Sequence, residues 1–258
     1  ILIRLKRRKD FAKSNAKKTK VQNLKIYEFG NTYTYNAERK EDGGLAPYNE
    51  SYRLAVAVAG NHTSQSWNSK GEATDFFRLK AVAEKILRRF GMDIYTLRSE
   101  PLSNEIFAEG LVLKAGNKEL ALIGTVSPKV RKMFDLKSDV YYLDIDFDTL
   151  LKYTRKHKVT AHELAKFPAV KRDLALLIDK NVTFAQIEQV ARETEKKLLK
   201  AVTLFDVYEG KNLEEGKKSY AVSFVLQDDN QTLNDKVIDK TMARLMENFQ
   251  KRLGAIQR

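Results

Sequence analysis

The chain has 258 residues, enough for one large or two modest domains, and hydrophobic residues make up 43% of it, enough to build packed cores. It contains no cysteine, which excludes a disulfide scaffold, a zinc ribbon, an iron–sulfur site and a cysteine nucleophile. No apolar run approaches the ~18 residues of a spanning helix, so we expect no membrane partner. The chain starts at Ile1 without a legible signal peptide, and we expect a piece of a longer protein.

Charge is distributed unevenly around the net value of +13. Residues 1–23 carry nine basic side chains and one acidic one, residues 24–150 are nearly neutral, and residues 151–258 are again basic. This pattern indicates either a packed domain joined to parts that bind a polyanion, or a solvated lysine surface. For residues 1–23 we predict a mobile basic arm or the end of a truncated helix.

Residues 24–150 are predicted to form an α+β domain around a mostly antiparallel sheet. Its strands are predicted over residues 24–36, 51–59, 93–98, 107–114, 118–126 and 139–147. A helix is predicted over 75–90, capped by Thr74 and ended by Gly91, and a short one begins at Pro128. Gly30 is expected to mark a bulge in the first strand.

A linker is predicted over 151–165, followed by a second domain over 166–258. The strands of this domain are predicted over 170–179, 201–209, 219–227 and 255–257, and its helices over 184–199 and 235–253. Thr183 and Gln186 have the spacing of a capping box at the start of the first helix. The order β-α-β-β-α-β is that of the ferredoxin-like module, which packs both helices on one sheet face and leaves the other open.

Strand alternation predicts which side chains lie on that open face. Ala175, Tyr208 and Ser219 should face outward, whereas Phe205 and Val207 should face the helices. Three lysines are expected in the adjoining loop, namely Lys211, Lys217 and Lys218. One aromatic ring beside small residues and cations suits a single-stranded nucleic acid, and an ordinary solvated face with one exposed tyrosine is the alternative.

Other residues that could carry chemistry have weak support from their spacing. The histidines lack metal-ligand spacing, so loop or surface positions are expected for His62, His157 and His162. Alternation at a strand end explains the acidic triplet better than a metal or acid pair does; its members are Asp144, Asp146 and Asp148. Ser219 has no histidine nearby in sequence to activate it as a nucleophile.

Four blocks of the second domain resemble, in order and spacing, the ferredoxin-fold anticodon-binding domain of bacterial phenylalanyl-tRNA synthetase beta subunits. These blocks are residues 167–175, 204–210, 213–221 and 232–235. Three upstream blocks, residues 27–30, 75–80 and 124–128, resemble the synthetase-like core domain of the same family. The resemblance covers residues 24–258, roughly the last third of such a subunit.

The resemblance implies recognition of tRNA(Phe). In that family a tyrosine stacks on the anticodon, and its position is Tyr208 here, with neighbouring contacts on Ser219 and Ala175. With the nearby Lys217 and Lys218, these are the predicted tRNA-binding residues. We predict no catalytic and no metal-binding residue.

The resemblance also implies a core domain without catalysis of its own. Active members place an arginine two residues before the motif-two acid, whereas Ile26 stands two before Glu28 here, and a glycine-rich segment ending in a catalytic arginine is missing. The implied partner is the alpha subunit of a cytoplasmic α2β2 enzyme, in which ATP and magnesium act outside this chain. The alternatives are a stand-alone ferredoxin-like RNA-binding or protein-interaction module, and an unrelated enzyme that uses the aspartates of 144–148.

Overall fold

The computed structural model describes residues 23–42, 44–155, 157–160, 163–210 and 213–258. The chain divides into two compact units, Ile1–Thr160 and Ala161–Arg258. The basic arm or helix predicted for residues 1–23 lies outside the described residues, except for Asn23. Among the described helices, none combines the length and the apolar character needed to cross a bilayer.

The first unit is built on a six-stranded antiparallel sheet with a small two-stranded hairpin beside it. The strands are β1 (Leu24–Tyr35), β2 (Tyr48–Ala59), β3 (Asn61–Thr63), β4 (Glu72–Ala73), β5 (Arg98–Pro101), β6 (Phe107–Ala115), β7 (Lys118–Val126) and β8 (Val140–Asp146). Their order in the main sheet is β1-β2-β8-β7-β6-β5, and β3 pairs with β4. The mostly antiparallel sheet predicted from the sequence is therefore confirmed, and β2 lies inside it.

Three helices accompany this sheet: α1 (Phe76–Arg89), α2 (Pro128–Met133) and α3 (Phe147–Thr154). Helix α2 begins at Pro128 as predicted, and Ser127 caps it by accepting a hydrogen bond from the N–H of Val130. The predicted cap of α1 is wrong by one residue, because the Asp75 carboxylate accepts the N–H of Arg78 while Thr74 is buried. Helix α3 was not predicted and extends to Thr154, into the expected linker.

Two further details of the first unit differ from the prediction. Gly30 pairs directly with Arg53 in an uninterrupted register, so β1 has no bulge there. The strand expected over 93–98 begins only at Arg98. Asp93 explains this difference, because its carboxylate accepts the N–H of Tyr95 and starts a single 3₁₀ turn.

The second unit has the predicted β-α-β-β-α-β order. Its elements are β9 (Val170–Asp179), α4 (Phe184–Thr194), β10 (Leu199–Tyr208), β11 (Lys217–Leu226), α5 (Asp235–Leu253) and β12 (Ile256–Gln257). The sheet order is β10-β11-β9-β12 with antiparallel pairing throughout, so β11 lies between β10 and β9 as expected. Helices α4 and α5 share one hydrophobic core with the inward side chains of the strands.

Helix α4 starts as predicted and ends earlier than predicted. Thr183 and Gln186 form the capping box, with the Thr183 N–H donating to the Gln186 carboxamide at 2.8 Å. The helix stops at Thr194 instead of near Leu199 because the Glu195 carboxylate takes the next two free N–H groups, those of Lys197 and Leu198. Released from the helix, the chain enters β10 two residues before the predicted start.

Candidate nucleic-acid interface

Among the described residues of the second unit, helices pack on one face of the sheet only, and we call the other the open face. Leu176, Ile178 and Val222 point to the other face, where they are completely buried under the helices. Pairing and alternation place the following residues on the open face: Lys171, Asp173, Ala175, Asp206, Tyr208, Ser219, Ala221 and Ser223. This set confirms the predicted outward positions of all three strands.

Tyr208, Ser219 and Ala175 are brought together at one end of the open face. Tyr208 pairs with Ser219, and Ala175 pairs with Ala221, the next outward residue of β11. The Tyr208 side chain is 39% exposed, whereas Ser219 beside it is only 6% exposed. A partly exposed ring therefore stands at the edge of a shallow floor made of small side chains.

The Tyr208 ring is held against the turn that follows β10. A Cβ atom added at Gly210 would lie 2.4 Å from the hydroxyl oxygen of Tyr208 and 2.5 Å from its Cζ atom. Both distances are shorter than real Cβ contacts, so with any other residue at this position the ring would have to shift. Glycine at this position therefore leaves space for the ring beside its own loop.

Arg258 belongs to this arrangement and was missed from the sequence. Its backbone N–H donates to the Ala175 carbonyl at 2.9 Å, which extends the pairing of β12 with β9 by one residue. Its guanidinium carbon lies 5.7 Å from the centre of the Tyr208 ring, within cation–π distance. Gln257 pairs with the inward Leu176, so the next residue faces outward, but this register is not visible in the sequence.

The predicted lysines separate into two environments. Lys217 and Lys218 begin β11 rather than lying in the loop, and Lys211 is outside the described residues. Lys218 pairs with the inward Ile178, is 7% exposed, and holds its ammonium 4.5 Å from the ring centre of the buried Tyr220. Lys218 therefore lies on the helix side of the sheet. Lys217 is two residues before Ser219 in the same strand, so its side chain faces outward like that of Ser219.

Phe205 contradicts the prediction that it faces the helices. The pairing of β10 with β11 shifts between Leu204 and Asp206, so Phe205 is an extra residue in a bulge. Its side chain is 55% exposed and takes no part in the core. Simple alternation failed at this point because a bulge adds one residue to the count.

In the first unit, the aspartates considered as a metal or acid site already have protein partners. Asp144 is 1% exposed and accepts the Nε–H of Arg53 at 2.6 Å, and Asp146 caps α3 through the N–H of Thr149. Asp148 accepts the backbone N–H of Tyr52 at 2.8 Å. Among the described residues, no group of three or more His, Cys, Asp or Glu side chains could hold a metal ion.

The β1–β2 end of the first unit exposes a row of aromatic side chains. Alternation and register put six of them on one face: Tyr27, Phe29, Tyr33, Tyr35, Tyr48 and Tyr52. Tyr27 and Tyr33 are the most exposed, at 72% and 66%. On the opposite face of β1, Ile26 is half-buried opposite Ala57. We call the six side chains the aromatic row.

Two family descriptions match the chain, one for each unit. Residues 10–147 match the phenylalanyl tRNA synthetase beta chain CLM domain, and residues 165–258 match the ferredoxin-fold anticodon binding domain. The similar curated relatives include the phenylalanine–tRNA ligase beta subunits of Bacteroides fragilis and Porphyromonas gingivalis. Each alignment covers 90% of this chain, with 53% identity to the Bacteroides fragilis protein and 44% identity to the Porphyromonas gingivalis protein.

Coverage of those relatives is partial. The chain spans 28% of the length of the Bacteroides fragilis protein and 29% of the Porphyromonas gingivalis protein. Among solved structures, pyrrolysyl-tRNA synthetase from Desulfitobacterium hafniense aligns with 56% of this chain and 46% of its own. That alignment has 15% identity and a TM-score of 0.39, which is too low to support an argument.

Proposed function

The chain belongs to the phenylalanyl-tRNA synthetase beta-chain family, and we propose that it forms the anticodon-recognising and alpha-subunit-contacting part of such a subunit. The family match over residues 10–147 favours this function over a stand-alone ferredoxin-like module, which would have no use for a synthetase-like domain. It also speaks against an unrelated enzyme based on the aspartates of 144–148, which serve the fold.

One observation carries the tRNA-binding proposal: the Tyr208 ring lies at the edge of a floor of small residues, with the Arg258 guanidinium above it. An exposed ring offers a face on which a base of a single-stranded loop can stack. Ser219 and Ala175 leave room for that base. Arg258 and Lys217 supply positive charge for the phosphates.

Lys218 is not retained among the proposed tRNA contacts. Its ammonium lies at the Tyr220 ring on the helix side of the sheet, so the sheet itself separates it from the open face. The proposed tRNA-binding residues are therefore Tyr208, Ser219, Ala175, Lys217 and Arg258. A tRNA that lies on the open face would not contact Lys218 from that side.

For the first unit we propose a scaffolding role against the alpha subunit. Ile26, half-buried opposite Ala57, replaces the arginine that holds the ATP phosphate in active relatives of the fold. On the same sheet face, the Arg53 guanidinium is engaged by Asp144 and is therefore committed to the fold. ATP and magnesium would act in the alpha subunit of an α2β2 enzyme in the cytoplasm, where tRNA is charged.

The aromatic row supports the same role. Apolar side chains gathered on one exposed face commonly mark a protein interface. The alpha subunit is the occupant we propose, because the relatives are named beta subunits. A stable interface of this kind buries on the order of 1,200 Å² or more.

The anticodon proposal is tested by titrating the full chain with a tRNA(Phe) transcript and with a transcript whose anticodon loop sequence is replaced. We expect at least about tenfold weaker binding of the altered transcript, since each lost base contact typically costs ~1–3 kcal/mol. Equal affinity for the two transcripts would contradict recognition of the anticodon.

The scaffolding proposal is tested by replacing Tyr27 and Tyr33 with lysine in a full-length beta subunit co-expressed with its alpha subunit. Two charges in the aromatic row should prevent copurification of the subunits, whereas lysine at the exposed Trp67 should not. The purified chain alone should show no phenylalanine-dependent pyrophosphate exchange. An intact complex in the double variant, or exchange by the chain alone, would refute this part.

A further inference from the structure

The bulge in β10 places a second aromatic ring where the regular strand would have none. Leu204 pairs with Val222 and Asp206 with Ala221, which leaves Phe205 unpaired between them. A bulge turns its extra residue away from the normal alternation. Phe205 is 55% exposed and takes no part in the core, so its ring is available to a partner.

The contact with Lys171 identifies the side of the sheet on which the ring lies. The Lys171 ammonium is 5.7 Å from the centre of the Phe205 ring. Lys171 pairs with Val225, which lies on the same outward face of β11 as Ser223 and Ala221. Because α4 and α5 cover the other face, Phe205 must lie on the open face with Tyr208.

Two rings on one face are far enough apart to serve two bases. Phe205 and Tyr208 are three positions apart, about 10 Å along a strand at ~3.3 Å per residue. A nucleobase is smaller than this separation, so one base cannot cover both rings. Lys171 stands beside Phe205 much as Arg258 stands beside Tyr208, giving each ring its own cation.

We propose that Phe205 and Lys171 form a second base-stacking position, which takes a nucleotide of the RNA loop other than the one stacked on Tyr208. This inference rests on the proposed tRNA-binding function of the open face. The ring would stack on the base, and the ammonium would bind a neighbouring phosphate. RNA is favoured over a protein partner because the surroundings of the ring are charged and small, not apolar.

The probe is a tRNA(Phe) anticodon stem-loop carrying 2-aminopurine at one loop position at a time, titrated with the full chain. Stacking on an aromatic ring quenches this base, so each ring can be assigned to a loop position. Phe205→Leu keeps the apolar volume and removes the π face. It should weaken binding about tenfold or more and restore fluorescence at one position.

Companion variants separate the two stacking positions. Tyr208→Leu should restore fluorescence at a different position, and Phe205→Tyr should bind like the unmodified chain. Lys171→Gln should lower the slope of log affinity against log salt by about 0.7, the value for one phosphate contact with a single strand. Phe77→Leu is the matched control, because Phe77 is 74% exposed on α1 and far from the open face in sequence.

The outcomes distinguish this inference from the function on which it rests. If Tyr208→Leu weakens binding while Phe205→Leu and Lys171→Gln leave it unchanged, the second position is refuted and the anticodon function stands. If both leucine variants act on the same loop position, the second position is also refuted. If neither affects binding, the anticodon function itself fails. Loss of alpha-subunit association by Phe205→Leu, with unchanged RNA binding, would make the ring a protein contact.

Discussion

The two antiparallel sheets of this chain differ in how many of their faces are covered. In the first unit, Leu143 and Ile145 are buried on one face of β8, and Tyr142 and Asp144 are buried on the other. In the second unit, Leu176 and Ile178 are buried whereas Lys171 and Asp173 are exposed.

This difference indicates which surface of each unit can bind a partner. A sheet interior covered on both sides cannot meet a partner without unfolding, so the first unit offers its exposed end, where the aromatic row lies. A sheet covered on one side presents a whole face at little cost to its core. Substitutions in the two units should therefore have different consequences, on folding in the first and on RNA binding in the second.

Arg53→Ala should strongly destabilise the first unit and leave the second unchanged. It would strand the buried Asp144 carboxylate, and breaking a buried ion pair costs about 3–5 kcal/mol. Hydrogen exchange resolves the two units: amides of β2 and β8 should lose protection while those of β9 and β11 keep it. Arg78→Ala is the control, since its pair with Glu72 is exposed and worth at most about 1 kcal/mol. Equal effects of the two variants would contradict the contrast.

Tyr208→Ala should do the opposite, weakening RNA binding while the fold persists. The loss of one stacked base is worth ~1–3 kcal/mol, or about tenfold to a hundredfold in affinity. The melting temperature should barely move, because the ring adds little to the core. Tyr208→Phe should be nearly silent if stacking carries the effect. Unchanged affinity of a folded Tyr208→Ala chain at low salt would rule out the anticodon platform.

Glu195 should make the second unit sensitive to acid. Burial raises the pKa of this carboxyl, but hydrogen bonds from the Leu198 and Lys197 N–H groups and the Arg244 guanidinium outweigh it, so the pKa is lowered overall. The resulting stabilisation is complete above the ordinary value of 4.5 and is lost as the pH falls through the lowered pKa.

Glu195→Gln checks this assignment. It should be less stable than the unmodified chain at pH 7, by about 1–2 kcal/mol for a lost charged hydrogen-bond network. It should also lose less stability between pH 5 and pH 3, as measured by urea unfolding at each pH. Parallel losses in the two proteins would show that Glu195 does not carry the acid sensitivity.

Lys217 and Lys218 offer the finest test, because neighbouring residues of one strand face opposite sides. Lys217→Ala should reduce the slope of log affinity against log salt by about 0.7, one phosphate contact on a single strand. Lys218→Ala should leave the slope unchanged, since its ammonium lies at the Tyr220 ring. A reduced slope for Lys218→Ala would mean that the helix-side placement does not hold when RNA binds.

Much of the second unit could be predicted because local signals agree there. The alternating apolar residues of β9 define both its ends, and the Thr183 capping box starts α4 where the sequence indicates. The same alternation placed Tyr208, Ser219 and Ala175 on one face. Where the alternation of side chains, the helix cap and the expected burial all indicate the same element, the sequence alone is sufficient to predict that element.

The wrong predictions share one physical cause. The register between two strands cannot be read from the sequence of either strand alone. The bulge at Phe205 exists only relative to β11, so counting along β10 could not show it. Lys218 was assigned to a loop because hairpin register was unknown. Arg258 acquires its role from pairing with Ala175, a residue distant in sequence.

The bulges of β10 also determine where insertions and deletions can be tolerated during evolution. The pairing of β10 with β11 shifts at Lys200 and at Phe205. In each case the residue before the shift faces the helices and the residue after it faces outward, as consecutive residues of a regular strand do. Loss of either residue would regularise the strand without turning Tyr208 over. A deletion at another position between Lys200 and Tyr208 would exchange the outward and inward faces for the residues on one side of the deletion. Either the residues before the deletion would change face, or Tyr208 would move to the core side. Loss of Phe205 would also remove the proposed second stacking ring, so length variation among relatives that keep this ring should concentrate at Lys200.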